Sequence, residues 1–319
     1  MSRARQRVLV AGASGYIGRH VVAALTERGH EVVALVRADR APLERVERVR
    51  AEATDADSLR RALTGHRYDA VVSCLATRSG VPEDAWRVEH DANQNLLAAA
   101  RDTRAARFVL LSAICVQRPR LAFQRAKLAF EALLAGAGLS HAIVRPTAFF
   151  KSLSGQIPRV RAGKPFLVFG DGRSTACKPI AESDLASFLA DLVEQTERMG
   201  IFPIGGPGPA ITPREQGTLL FELLGARPRF RSVPVGAFDA AAAVLGGLGR
   251  LVPSLANKAE LARIARYYAT ESMLLWNEAA GRYDADATPE TGRITLREHY
   301  ERVLREGLAG QELREHAIF

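Results

Sequence analysis

The feature that most constrains this chain is a glycine triplet set directly behind a short apolar strand, Val8-Leu9-Val10-Ala11-Gly12-Ala13-Ser14-Gly15-Tyr16-Ile17-Gly18. The glycines fall as G-x-x-G-x-x-G, a spacing that lets the backbone turn tightly after Ala11, admits a pyrophosphate at Gly15, and packs helix on strand at Gly18. The helical run Ile17 to Arg28 stops at Gly29, and its N-terminus offers N–H groups and a positive dipole end to an anion. A glycine pattern alone also fits an ordinary strand-turn-helix. Its place at the first strand of the chain, behind four apolar residues and ahead of a helix, makes it a dinucleotide site. Gly12, Ser14, Gly15, Tyr16, Ile17 and Gly18 are the candidate cofactor contacts there.

The rest of the first half repeats the same alternation. Strands are expected at Glu31–Val36, Val49–Ala53, Ala70–Cys74, Phe108–Leu111 and His141–Val144, with helices opening at Asp57-Ser58 and covering about 85–102 and 122–137. Short strands alternating with helices imply an α/β fold, a Rossmann-type doubly wound parallel sheet. Its carboxyl edge, where open sheets bind ligands, receives Leu75 and Ala76 after the fourth strand, Ser112 after the fifth, and Pro146 after the sixth. Asp55, after the third strand, is placed as an adenine neighbour.

Beyond residue 150 the alternation stops. Gly155 to Lys178 is rich in glycine, proline and cations and reads as loops and short strands, whereas Glu182–Glu194 is helical and Ile201–Ile204 returns to the sheet. Thr212-Pro213-Arg214-Glu215 carries a capping box with proline at the first helical position, so a helix runs from there to Leu224. We therefore expect an NAD(P)-binding Rossmann domain over 1–150, with 178–205 returning to it. A smaller, mostly C-terminal substrate lobe is expected over 151–177 and 206–319.

Cofactor choice turns on the residue ending the second strand. NAD enzymes place an acid there to bond the ribose hydroxyls. This chain has Arg37, whose guanidinium can hold a 2′-phosphate with a forked pair of hydrogen bonds, helped by Arg40 and Arg19; Asp39 speaks for NAD instead. NADP is favoured.

Charge points to anionic ligands more than to nucleic acid. The net charge is +9, and Ala113 to Ile180 alone holds eleven basic and two acidic residues, the whole of that excess. Four of the five lysines lie between Lys127 and Lys178 in a chain that otherwise uses arginine. A solvated basic face and an anion-attracting pocket both fit. No helix-turn-helix, zinc-finger or aromatic RNA-binding pattern accompanies the charge, so no nucleic-acid partner is expected. Three scattered cysteines, Cys74, Cys115 and Cys177, suit reduced thiols and give no metal spacing. No apolar run reaches the ~18 residues of a membrane span, and the arginines before Val8 precede too short an apolar stretch for a secretory signal. A cytoplasmic protein is expected, with peripheral membrane association and oligomeric state left open.

The glycine turn, Ser112 and Lys127 in the following helix resemble the short-chain dehydrogenase/reductase superfamily, in which a Tyr-x-x-x-Lys helix supplies a phenol as acid and a lysine for the nicotinamide ribose. Here the position four before Lys127 is Phe123. Reducing a carbonyl puts charge on one oxygen, which needs a proton donor within about 3 Å. A carbon–carbon double bond conjugated to a large aromatic system spreads that charge. The missing hydroxyl therefore argues against ketone chemistry, and it equally fits a protein that binds cofactor without turnover.

Gly12 to Gly18, Arg37, Phe123-Gln124-Arg125-Ala126-Lys127, Arg145 to Leu153, Phe169-Gly170-Asp171-Gly172, Cys177-Lys178-Pro179-Ile180, Tyr267 to Met273 and the closing Ala317-Ile318-Phe319 together resemble the NADPH-dependent divinyl chlorophyllide 8-vinyl reductases. These are atypical, NmrA-like members of the superfamily, and the likeness covers nearly the whole chain. The resemblance implies hydride transfer from NADPH to the 8-vinyl group of a divinyl (proto)chlorophyllide, giving an ethyl group in chlorophyll or bacteriochlorophyll synthesis and so in photosynthesis. A flat tetrapyrrole carboxylate wants an apolar slot rimmed by cations, and Phe149, Phe150, Tyr267 and Tyr268 with Lys151 and Lys178 are the candidates. Phe166, Phe169 and Arg159 stand beside them. Lys127 is the candidate catalytic residue, on the nicotinamide ribose. The competing readings are an NmrA-like regulator that binds NADP through the same fold, and a reductase of another conjugated alkene. Because Arg37 stands where an acid would select NAD, NADPH should support turnover better than NADH in steady-state kinetics; equal constants for the two would remove the phosphate role of Arg37.

Overall fold

The computed structural model describes residues 4–37, 46–77, 79–249 and 252–307. Asp39, Arg40 and the closing Ala317-Ile318-Phe319 lie outside the described residues. The chain divides into two compact units, residues 1–146 with 182–203, and residues 147–181 with 204–319.

In chain order the first unit opens with β1 (Arg7–Ala11), α1 (Tyr16–Glu27), β2 (Glu31–Val36), β3 (Glu47–Arg50), α2 (Ala56–Leu63) and β4 (Ala70–Ser73). It continues through α3 (Pro82–Ala85), a π-helical turn (Trp86–Asp91), α4 (Ala92–Asp102), β5 (Arg107–Leu111), α5 (Ala122–Ala135) and β6 (Ser140–Pro146). The second unit then contributes α6 (Phe150–Leu153), α7 (Ile157–Arg161) and β7 (Phe166–Phe169) before α8 (Glu182–Glu194) and β8 (Gly200–Ile204). After these come α9 (Pro213–Leu223), β9 (Phe230–Val233), α10 (Gly236–Gly249), α11 (Pro253–Thr270), the β10 (Leu275–Asn277) and β11 (Arg282–Asp284) pair, and α12 (Leu296–Glu306).

The first unit's sheet has the order β3-β2-β1-β4-β5-β6-β8, and β1 to β6 pair in parallel. This is the doubly wound architecture expected from the alternation. The order reverses between β1 and β4, and a crevice opens at the carboxyl ends of strands on either side of such a reversal. Strand side chains alternate between faces. Leu9, Val33, Val71, Phe108 and Ile143 build a core with Leu59, Leu96 and Phe130 on one face, while Val8, Val10 and Val32 are equally buried on the other.

The helix expected over about 85–102 is three pieces, α3, the π turn and α4. A π turn inserts one residue and swings the following side chains round, a distortion often found at functional sites. Here it aims Glu89 inward, as shown below. The stretch expected as loops and short strands before Lys178 contains β7 and also α6 and α7.

The second unit packs Phe150, Ile157, Val160, Phe166, Leu220, Phe221 and Tyr300 into its own core. β7 and β9 run parallel inside it. Both of its capping boxes are formed, Thr212 with Glu215 at α9 and Thr295 with Glu298 at α12. Each satisfies two backbone donors that a helix start leaves unpaired.

One buried cation locks the first unit. Arg107, at the start of β5, is 1% exposed and donates to Leu192 O (3.0 Å), Thr196 O (3.1 Å), Arg198 O and Ser140 Oγ (2.8 Å). Those carbonyls lie in the last turn of α8 and just beyond it, where unpaired C=O groups and the negative dipole end favour a cation. Burial lowers the Arg107 pKa from its ordinary value, yet the guanidinium remains charged in proteins. Replacing Arg107 by Met strands the carbonyls in a dry interior, and unmade buried hydrogen bonds cost about 1–3 kcal/mol each. Arg107→Met should lower the melting temperature by at least about 5 °C in a thermal scan; an unchanged melt would show that the clamp is dispensable.

Candidate active site

The turn between β1 and α1 is shaped by contacts that leave no room for a Cβ. Gly12 has φ +75°, and a Cβ there would lie 2.5 Å from the carbonyl oxygen of Cys74. A Cβ on Gly18 would lie 2.1 Å from the Gly12 oxygen. The Gly15 amide donates to that same oxygen at 2.9 Å. Ser14 and Gly15 are exposed at the mouth of the turn, while Ile17 and Gly18 are buried. No side chain caps α1, and its first turn carries no acid. The result is a backbone cradle at a positive helix end, the arrangement a pyrophosphate needs. The residues present fit a dinucleotide. The Tyr16 ring meets His20 edge-on at 6.0 Å, with the Arg19 guanidinium 5.4 Å from its centroid.

Other cofactor candidates sit along the same carboxyl edge. Arg37 follows β2 and is exposed; Leu75 is half-buried and Ala76 exposed after β4; Pro146 ends β6 and is buried. Asp55 has a local task as well, because its Oδ1 accepts from the Asp57 and Ser58 amides at 2.9 and 3.0 Å and caps α2. Ser112 departs from the sequence expectation. It is 5% exposed, and its hydroxyl donates to Glu131 Oε1, whose carboxylate also receives Arg145 Nε at 3.2 Å to Oε2. Ser112 is therefore engaged in a buried network joining β5, α5 and β6, and its hydroxyl is not presented to a ligand.

Lys127, on α5, is mostly buried, and its Nζ lies 2.7 Å from Glu89 Oε2. The other carboxylate oxygen of Glu89 accepts the Thr77 amide at 2.9 Å. Phe123, one turn before Lys127, is buried and brings no hydroxyl. Cys74 directly follows β4, close enough to feel Lys127, and desolvation pushes its thiol up to about 12 against the pull of that ammonium. A thiol so weakly acidic is a poor proton donor. Ser73 Oγ donates to Asn93 Oδ1, and Asn93 Nδ2 donates in turn to Glu89 O at 3.0 Å. Glu89 lies outside every motif read from the sequence. Its one trace there is a polar pair, Glu89 and Asn93, spaced i,i+4 on what becomes the buried side of a helix.

The candidate substrate residues belong to the second unit. Phe149 and Lys151 are half-buried, and Phe149 bridges Ile180 in parallel. Phe150, expected on the pigment, is 0% exposed in the core, its ring 4.9 Å from His299; it is a packing residue. Lys178 is also buried, with Nζ 2.6 Å from Glu290 Oε1. That hydrogen bond, aided by the Gly208 amide, holds the Glu290 carboxyl below its usual range. Lys178 is thus an ion-pair member, with its charge already answered. Tyr267 is buried and Tyr268 half-buried, their rings perpendicular at 5.7 Å. Backbone pairing brings two sequence blocks together here: Cys177 bridges Met273, and the Met273 amide donates to Ala176 O at 2.9 Å. Among the described residues no cluster of three or more His, Cys, Asp or Glu is placed to hold a metal ion.

A family model described as NAD(P)H-binding matches residues 12–196. A divinyl chlorophyllide a 8-vinyl-reductase of rice (Oryza sativa subsp. indica), chloroplastic, is 50% identical over 98% of this chain and 82% of its own length. Its counterpart in Arabidopsis thaliana is 45% identical over 97% of this chain and 79% of its own length. Among solved structures, an NADPH-dependent quinone oxidoreductase of Escherichia coli superposes with a TM-score of 0.68 over 93% of this chain and 99% of its own, at 18% identity, a likeness of fold.

Cys177 resembles Cys74 in being pushed up to about 12 by burial. Both should therefore resist iodoacetamide in the native protein at about pH 8, where ordinary thiols react, and label promptly once the chain is unfolded. Peptide mass spectrometry reads this; fast native labelling of Cys74 would contradict the environment described for it.

Proposed function

Since the chain belongs to the NAD(P)H-binding family and, within it, to the divinyl chlorophyllide a 8-vinyl-reductases, we propose that it reduces the 8-vinyl group of divinyl chlorophyllide to ethyl at the expense of NADPH. One observation carries this reading: four plant reductases of that name are 45–50% identical to this chain over 97–98% of it. NADPH, when bound, supplies the hydride.

The chain's own residues supply the rest. The Gly12–Gly18 turn and the uncapped start of α1 receive the pyrophosphate, and Arg37 takes the 2′-phosphate. Asp55, Leu75, Ala76 and Pro146 border the remainder of the cofactor along the sheet edge. Lys127 offers its ammonium to the nicotinamide ribose. Phe123 in place of a phenol suits a reaction whose developing charge spreads over a conjugated macrocycle instead of gathering on one oxygen.

The second unit acts as the substrate lobe, with Phe149, Lys151, Tyr267 and Tyr268 on the pigment. The role in bacteriochlorophyll as well as chlorophyll synthesis belongs to the same reading. So do cytoplasmic placement and a peripheral station beside a membrane. Among the described residues no helix is long and apolar enough to cross one.

Purified protein mixed with NADPH and divinyl chlorophyllide a should convert it to the monovinyl form, seen as a blue shift of the Soret band and a new peak on chromatography. Lys127→Met should keep the fold and lose at least about tenfold in turnover. An unaltered pigment spectrum with folded wild-type protein would defeat the vinyl-reductase assignment, and near-normal turnover of the variant would remove Lys127 from the mechanism.

A further inference from the structure

We propose that Glu89 is a positioning residue: its carboxylate holds the Lys127 ammonium at the carboxyl edge of the sheet and ties it to the loop that follows β4. The proposal rests on the reading of Lys127 as the nicotinamide-ribose contact.

The geometry is specific. Glu89 is one of few carboxylates buried in the first unit, with its side chain 2% exposed and the Lys127 side chain 11% exposed. The pair closes at 2.7 Å, while the second oxygen takes the Thr77 amide at 2.9 Å. One carboxylate therefore spans three elements: the π turn that carries it, α5, and the loop after β4. The loop is fastened a second time, since Thr77 Oγ1 donates to Asp84 Oδ2 at 2.5 Å. That bond first, and the Arg87 guanidinium after it, hold the Asp84 carboxyl below its usual range. Glu89 itself is fixed from behind by Asn93, whose amide donates to the Glu89 and Val88 carbonyls and whose oxygen accepts from Ser73 at the end of β4.

A buried ion pair is weak evidence for stability, because desolvating two charges offsets most of their attraction. What the arrangement does secure is direction. A lysine ammonium is a point charge on a flexible four-carbon stem with three donors. Drawn against a carboxylate that is itself immobile, the ammonium head is held in place by the ion pair, and its N–H donors are left for ligand hydroxyls. The irregular π turn gains a purpose on this view, since it is the segment that brings Glu89 inward.

The test is a double-mutant cycle on Glu89→Gln, Lys127→Met and the double variant, followed by NADPH fluorescence titration and by steady-state kinetics. Glu89→Gln should weaken NADPH binding and lower kcat by at least about tenfold, within the roughly hundredfold that a 1 Å misplacement of a reacting group can cost. The double variant should be no worse than Lys127→Met alone within about twofold. Glu89→Asp, which keeps the charge on a shorter stem, should recover part of the loss. Circular dichroism and melting curves check folding, and a Glu89→Asp with Lys127→Arg cycle replaces any variant that does not fold.

Multiplying losses in the double variant, or wild-type NADPH affinity and turnover in Glu89→Gln, would overturn the proposal. The outcomes separate it from the functional reading. The titration needs no pigment, so a protein that left the vinyl group untouched would still report the Glu89–Lys127 coupling. An impaired Lys127→Met beside an unimpaired Glu89→Gln would sink the positioning role alone.

Discussion

Backbone packed directly on backbone is the contact from which the rest of the first unit follows. The loop after β1, the first turn of α1 and the end of β4 meet at Gly12, Gly18 and Cys74 with no side chain between them, and a Cβ on Gly12 or Gly18 would stand 2.5 or 2.1 Å from a carbonyl oxygen. Real Cβ atoms do not approach so closely, so a larger residue would push α1 off the sheet. The close seat of the helix is what leaves its N-terminal amides at the reversal between β1 and β4, where a dinucleotide's phosphates can reach them.

Buried charge is then divided between the two edges of the sheet. β5 shows the division within a single strand: Arg107 at its start clamps the carbonyls at and beyond the end of α8, while Ser112, just past its end, joins Glu131 and Arg145. The clamp involves exposed ligand surface nowhere and serves the fold. At the carboxyl edge, Glu89 and Lys127 form a pair whose lysine keeps donors to spare. The same physical rule, that a buried charge must be paired or hydrogen-bonded, thus serves rigidity at one edge and orientation at the other.

Phe123 fits the proposed vinyl reduction. A ring without a hydroxyl, buried one turn before Lys127, leaves the site without the phenol that a carbonyl reductase needs for the oxygen it charges. A vinyl group conjugated to a macrocycle makes a smaller demand on a proton donor. Cys74, whose thiol feels the Lys127 ammonium, does not fill the gap, because desolvation leaves it a very weak acid.

Much of this was legible in the residues. The short apolar strands, the glycine turn, the capping box at Thr212 and the helix stop at Gly29 depend on neighbours a few positions away, and local sterics and local hydrogen bonds decide them. Arg37 after β2 was equally visible, since it stands at a set distance from the glycine turn, and Lys127 stood out through the resemblance to the short-chain dehydrogenase/reductases. The partners of buried groups were not. Glu89 meets Lys127 across 38 positions of sequence, and Arg107 meets Thr196 across 89. Phe150 and Lys178 read as pigment contacts because an aromatic and a cation look alike in sequence whether they face a ligand or a core; packing against His299 and pairing with Glu290 decided otherwise. Sequence alone determined which elements form and in what order, because those choices are settled by short-range forces. Tertiary structure decided which charges are answered and which are left to work, because desolvation acts only once distant segments have closed around a group.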